Sequence, residues 1–216
     1  KLPLIVISSL KKIIGKKGTI IMPFYMLEKN KTFVFDRKKF VITNKIGSLT
    51  KKFCKEKKLV RSNCLIHNHI GLGPDAKILN LSRENISLGQ NSDFALMKKN
   101  DFKLLLLGCD PIQGATYLHH LEALSNVPYR KWIKVNKKKI LNKRVKNISV
   151  KYFAKKNNKY KSNFNLIFNK LNNYKNILNI EKVKYGRSYF IKLKDLHEFG
   201  LKLLKKNKYS FVIKKP

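Results

Sequence analysis

The feature that most constrains this chain is the run over residues 102–108, whose centre is four consecutive leucines, Leu104 to Leu107. A short, unbroken apolar run bounded by turn formers reads as a strand buried on both faces. Residues 109–115 follow, with Pro111 and Gly114 as breakers, and then residues 116–124 begin with Thr116, a residue type favoured at helix N-caps. Strand, loop and helix in that order predict an α/β domain, in which ligands gather outside the carboxyl ends of strands. No apolar run reaches the roughly 18 residues that a membrane-spanning helix needs.

The remaining sequence extends this pattern. Residues 2–14 read as a strand-like start running into a basic helical turn, and residues 19–23 as a short buried strand stopped by Pro23. A further short strand is expected over 32–35. Ile46, Leu49 and Phe53 recur at helical spacing and predict an amphipathic helix over 46–57. After the breaker Gly71-Leu-Gly-Pro74, helices are expected over 75–81 and 93–100. Beyond Pro128 the character shifts. Residues 131–161 alternate short apolar pairs with Lys and Asn, as exposed antiparallel strands do, and they lead to a helix over 163–171, a strand over 183–193 and a helix over 196–204. The expectation is one domain, 1–216, with an α/β core over about 1–130 and an α+β remainder over about 131–216.

Charge needs its own account. Lys and Arg total 49 against 12 acidic residues, a formal net charge of +37. Such a balance attracts nucleic acid or an anionic small molecule, or it records a surface in which Lys is the default polar residue. The lysines spread along the whole chain with no Arg/Gly-rich tract, which argues against a dedicated nucleic-acid arm. The three cysteines, Cys54, Cys64 and Cys109, form neither a zinc pattern nor a disulfide framework, so a reducing, cytoplasmic setting is expected. The start carries no long apolar segment followed by a cleavage site, and it reads as a chain whose true beginning lies upstream.

The residues able to do chemistry lie directly after the leucine run. In Thr116-Tyr-Leu-His-His-Leu-Glu122, the residues Thr116, His119 and Glu122 are three apart and share one helix face, while Leu118 and Leu121 lie on another. An imidazole oriented by a carboxylate is a general base near neutral pH, and Glu122 would fix the tautomer of His119. Thr116 could hold a carbonyl oxygen or serve only as an N-cap. A metal site built from His67 and His69 with His119 or His120 is conceivable, with Glu122 or Asp110 as added ligands, but the favoured reading has no metal.

Several blocks, in order, resemble the aminoglycoside 3-N-acetyltransferase family. They are Gly18-Thr-Ile-Ile-Met-Pro23, Phe35-Asp36, Ile46-Gly-Ser-Leu49, Arg61-Ser62 with His67, Gly73-Pro-Asp-Ala76, Leu104 to Gly108 followed by Thr116, His119 and Glu122, Val127-Pro-Tyr-Arg130, and the late strand with Gly186. The resemblance covers nearly the whole chain. It implies a layered α/β fold with a mixed sheet flanked by helices, unlike the common GNAT acetyltransferases. It also implies acetyl-CoA as co-substrate and no metal, a primary amine as acceptor, and direct transfer in a ternary complex with His119 as base. Arg61 and Ser62 would then serve the coenzyme, and His67, Asp110 and Tyr129 the acceptor. Departures are present. Cys64-Leu65 stand where the family has His-Pro, Asn68 where it has Ser, and the loop before Thr116 is one residue longer. The family's opening segment, with a His/Ser-containing turn at the coenzyme, is not within residues 1–216, as expected if the true beginning lies upstream.

The resemblance implies an amino sugar or an aminoglycoside-like molecule as acceptor. The charge favours an amine on an anionic or neutral carrier over a polycation, unless Asp36, Asp93, Asp110 and Glu122 form a local acidic pocket. The partners expected are therefore a small-molecule amine and CoA, with no membrane partner and with a homodimer left open. The competing readings are a nucleic-acid-binding protein, using Tyr152, Phe153, Tyr160, Phe164 and Tyr174 among lysines, and an inactive member of the family.

Overall fold

The computed structural model describes residues 2–26, 34–43, 46–174, 177–184 and 186–215. The chain forms two compact units that interleave in sequence. One comprises Lys1–Ser87, Asn91–Leu96 and Lys134–Tyr152, and the other Leu88–Gln90, Met97–Ile133 and Phe153–Pro216.

In the first unit, residues 2–14 form a single helix, α1 (Leu2–Ile14), where a strand-like start was expected. Its inward positions are Pro3, Val6, Ile7, Leu10 and Ile14, spaced by one helical turn or its near multiple, with Ile7 the most deeply buried. The β-branched run Ile5-Val-Ile7 masks that period when the sequence is read alone. Strand β1 (Ile20–Pro23) follows. Beyond it come β2 (Val34–Phe35), α2 (Ser48–Phe53), β3 (Val60–Arg61) and β4 (His69–Leu72). The strand expected over 32–35 lies partly outside the described residues, and β2 is its described part. Helix α2 is shorter than the expected 46–57 and ends at Cys54. Strand β4 is central, antiparallel to β1 on one side and to β3 on the other. Ile7, Met22, Phe24, Met26, Ile46, Phe53 and Ile70 close one core between this sheet and the helices. A 3-10 helix, Pro74–Leu81, stands where an α-helix was expected.

Two long strands, β6 (Arg130–Leu141) and β7 (Arg144–Lys155), make a hairpin whose residues 134–152 belong to the first unit. Both turn residues, Asn142 and Lys143, have positive φ (50° and 63°), the geometry of a two-residue turn matched to strand twist. Strand β2 runs parallel beside β6, so this sheet is mixed. Phe35, Leu65, Ile66 and Val150 fill its core. Helix α3 (Asp93–Lys99) links the two units in sequence.

In the second unit, β5 (Lys103–Leu106) is the leucine run, followed by α4 (Pro111–Gly114) and α5 (Tyr117–Leu124). Later come β8 (Tyr160–Ser162), α6 (Asn165–Asn172), β9 (Leu178–Val183), β10 (Gly186–Lys192), α7 (Leu193–Lys206) and β11 (Val212–Lys214). The leucine run is not buried on both faces. It is the edge of an antiparallel sheet ordered β5-β10-β9, in which Leu104 and Leu106 pair with Ile191 and Tyr189. Leu105 and Leu107 face outward at 39% and 43% exposure. Four successive leucines carry no period, so the sequence could not tell one buried face from two. Helix α7 packs on α5 at Gly200, where a Cβ would stand 2.4 Å from Leu121 Cδ1.

One backbone approach in the first unit tolerates no side chain. Gly73 has φ 118°, and a Cβ there would lie 2.3 Å from the Gly18 carbonyl oxygen. Gly73→Ala should therefore cost about 2–4 kcal/mol from strain and overlap together. Urea denaturation of the variant against the parent measures this, and a change near zero would contradict the close approach.

Candidate active site

Helix α5 carries the candidate residues His119 and Glu122, and the reversal after it brings two more side chains to them. Ser125 closes the helix, and Asn126 takes a left-handed conformation (φ 47°), which Asn tolerates better than most residues. The Val127 amide then donates to the Glu122 carbonyl. Pro128 turns the chain back, bringing Tyr129 and Arg130 onto the helix they have just left.

The Glu122 side chain is fully buried. One of its oxygens, Oε2, is 2.6 Å from His119 Nδ1 and 2.7 Å from Arg130 Nε, and the other, Oε1, accepts from the Tyr129 hydroxyl at 2.8 Å. Arg130 Nη1 donates to the Phe153 carbonyl, which holds the guanidinium in place. The Arg130 Nε contact is an ion pair by distance rather than an aligned hydrogen bond. Burial by itself would raise the Glu122 carboxyl. The His119 hydrogen bond, the charges of His119 and Arg130 and the Tyr129 hydrogen bond outweigh it and hold the group below the usual carboxylate range. Tyr129 is pushed upward, by burial first and then by the Glu122 charge, so it stays a donor.

When His119 is neutral beside the ionised Glu122, its Nδ1 carries the proton toward the carboxylate and its Nε2 keeps the lone pair. Arg130 Nη2 also lies 3.1 Å from Nδ1, a contact that cannot be a hydrogen bond in that tautomer. The His119 side chain is one-quarter exposed, and its ring meets Phe164 edge-on at 4.9 Å. The neighbouring histidine is different. His120 is buried, its Nδ1 accepts from the Gly89 amide, and burial holds it down to about 3, so it is a neutral structural acceptor. Of the two adjacent histidines, only His119 offers a base at an accessible edge.

The other residues singled out from sequence fall as follows. Thr116 stands at the N-cap of α5 with helical dihedrals and no side-chain capping bond. Tyr129 joins His119 and Glu122. Asp110 lines a cleft of about 300 Å³ with Pro111, Asn165, Phe168, Gly186 and Arg187 among its walls. Arg61, Ser62 and His67 belong to the first unit and are buried there. Arg61 Nη1 donates to the carbonyls of Asp36 and Lys39 and its Nε to Asn68 Oδ1, while its guanidinium lies over Phe24, Phe35 and Phe40. Burial lowers Arg61 to about 10. Ser62 Oγ accepts from the His69 amide and from Asn68 Nδ2. His67 Nδ1 pairs with Ser87 Oγ, and its ring stacks near Tyr152. His69 pairs with Asp93 at 2.7 Å. Among the described residues, no group of three or more His, Cys, Asp and Glu is arranged to hold a metal.

Arg130 is the site residue that sequence reasoning missed. A signal existed: the chain has six arginines among its 49 basic residues, and Arg61 and Arg130 are the two that are buried. Where Lys is the default, a buried planar donor calls for Arg.

The fold is that of a class of acyltransferases distinct in architecture from the GNAT enzymes. The aminoglycoside 3-N-acetyltransferase family model matches residues 2–205, and the chain belongs to that family. Among solved structures, the YokD protein from Bacillus subtilis matches with 19% identity over 95% of this chain and 81% of its own, at a TM-score of 0.79. Aminoglycoside acetyltransferase AAC(3)-Xa matches with 19% identity over 94% and 80%, at 0.82. AAC-IIIb in binary complex with CoASH matches with 17% identity over 99% and 86%, at 0.79. A search of curated proteins by sequence gave no match. No described helix is long and apolar enough to cross a membrane.

The Glu122 cluster links stability to pH. The folded carboxyl lies below its ordinary value of 4.5, so the unfolded chain binds the proton more tightly. Its stabilising contribution is complete above that value and is lost as pH falls through the folded value. Glu122→Gln should remove this part of the acid dependence. It should also lower stability at neutral pH by about 3–5 kcal/mol, because Arg130 is left buried without its anion. Denaturation of both proteins between about pH 7 and pH 3 measures the difference, and parallel profiles would contradict the assignment.

Proposed function

We propose that the protein transfers the acetyl group of acetyl-CoA to a primary amine of an amino sugar or aminoglycoside-like acceptor, with His119 as general base. The observation that carries this is the His119–Glu122 contact at 2.6 Å, with Nε2 left as the basic edge. Family membership supplies the reaction class, and the CoASH bound in the AAC-IIIb structure supports the donor.

In this reading the amine nitrogen attacks the thioester carbonyl carbon while His119 Nε2 takes the amine proton. The tetrahedral adduct then collapses, the C–S bond breaks, and the CoA sulfur leaves as thiolate or, after protonation, as thiol. Glu122 holds the Nδ1 proton and stabilises the imidazolium as it forms. Tyr129 and Arg130 act on Glu122, keeping it ionised and fixed, so we assign them as positioning residues. Thr116 serves the start of α5. Arg61 and Ser62 act through the loop they hold rather than by touching the coenzyme, His67 is buried within the first unit, and Asp110 is proposed as an acceptor contact.

We assign the acceptor to an amine on an anionic or neutral carrier. The charge of +37 repels a polycation. Two of the carboxylates that could bind ammonium groups, Glu122 and Asp93, are already paired with His119 and His69.

His119→Gln should lower kcat by about 10² to 10⁴ while leaving CoA affinity within about twofold. Unchanged kcat would remove His119 as the base. Turnover on a panel of aminoglycosides, free amino sugars and nucleotide-linked amino sugars tests the acceptor, and a strong preference for a multiply charged aminoglycoside would overturn that assignment.

A further inference from the structure

Between Glu122 and Glu181 the sequence contains no acidic residue, and the hairpin of β6 and β7 rises from the middle of that stretch. The two-residue turn at Asn142 and Lys143 fixes the register, placing Leu141 opposite Arg144 and Ile140 opposite Val145. Counting back along the same ladder puts Trp132 opposite Phe153, and their rings are 4.8 Å apart, which agrees.

This register sorts the side chains. Val135, Ile148, Val150 and Tyr152 lie on the core side, Lys137 reaches the Met26 carbonyl, and Lys139 pairs with Glu84. The outer face carries Lys134, Lys138 and Lys151. At the far end Ile140, Leu141 and Val145 are 38%, 39% and 58% exposed, with Lys143, Arg144 and Lys146 around them. By the same register Ile140 and Val145 stand side by side on the outer face and Leu141 on the other, so the end of the basic ribbon is apolar on both faces, with basic residues around it.

Charge decides among possible occupants. A second copy would set lysine against lysine. Nucleic acid would satisfy the basic residues but give three aliphatic side chains nothing apolar to enter, and the tip offers no aromatic ring for base stacking. An anionic bilayer surface satisfies both parts. Its headgroups pair with the basic residues, and the acyl boundary receives the aliphatic tip.

We propose that the β6–β7 hairpin docks the protein peripherally on anionic phospholipid membranes, through Ile140, Leu141 and Val145 with the surrounding Lys and Arg. This departs from the sequence-based expectation of no membrane partner, and it does not depend on the acetyl-transfer reading.

The test is sedimentation of the full chain with phosphatidylcholine vesicles that contain no anionic lipid or about one-third phosphatidylglycerol. The protein should bind the anionic vesicles and not the neutral ones. The triple variant Ile140→Ser, Leu141→Ser and Val145→Ser, with unchanged charge, should lose at least about tenfold in vesicle affinity. Lys138→Glu with Lys143→Glu and Lys146→Glu should abolish binding. Circular dichroism of each variant verifies folding, since all six side chains are exposed or near the turn. Failure of the parent to bind anionic vesicles overturns the proposal, as does undiminished binding by the serine variant. Duplex DNA binding in place of vesicle binding, or a dimer in light scattering that Val145→Ser dissolves, would give the hairpin a different partner and also overturns it.

Discussion

The buried charge of Glu122 organises the packing around helix α5 in the second unit. A carboxylate with no exposure is tolerable only with its partners in place, and it takes them from three directions: His119 one turn earlier on the same helix, Tyr129 and Arg130 from the chain that returns after Asn126. Each partner is itself constrained. Arg130 is tied to the Phe153 carbonyl, and His119 is packed on Phe164. Desolvation raises the Coulombic stakes, so the ring of His119 has one orientation and one tautomer. The same contacts that stabilise the fold thus hold the ring of His119, the residue we propose as the base.

The first unit contains a parallel arrangement built on a cation. Arg61 lies among Phe24, Phe35 and Phe40 and binds the backbone of residues 36 and 39, while Asn68 bridges Arg61 and Ser62. The motif block at 61–69 shapes this unit from the inside, joining β3 to β4 through buried polar groups that are hydrogen-bonded to one another. Burying a guanidinium costs less than burying an ammonium, because its charge is delocalised and weakly hydrated. A chain rich in Lys nevertheless places Arg at both buried Lys/Arg positions among the described residues.

Much of this was legible in the residue order. Helices were expected over 93–100, 163–171 and 196–204, the middle one from the spacing of Phe164, Ile167, Phe168 and Leu171, and the structure has α3, α6 and α7 there. The first helix was obscured, because Ile5, Val6 and Ile7 favour strands locally and only packing against α2 selects the helical period. The leucine run was legible as a strand but not as an edge strand, since which face is covered depends on β10, more than 80 residues away. Arg130 was invisible as a site residue because nothing in its neighbourhood marks it until the turn at Asn126 folds it back.

By itself, the sequence determined the His119–Glu122 pair. Residues three apart on a helix stand on one face, so the spacing and the helix suffice. It also determined the overall basic charge, which is a matter of counting. Only the tertiary structure decided that Glu122 is buried, that Tyr129 and Arg130 close around it, that His120 is a neutral acceptor, and that Ile140, Leu141 and Val145 are exposed at the end of a lysine-rich hairpin. These depend on contacts between segments distant in the chain, and burial is a property of the whole packed assembly rather than of any local window.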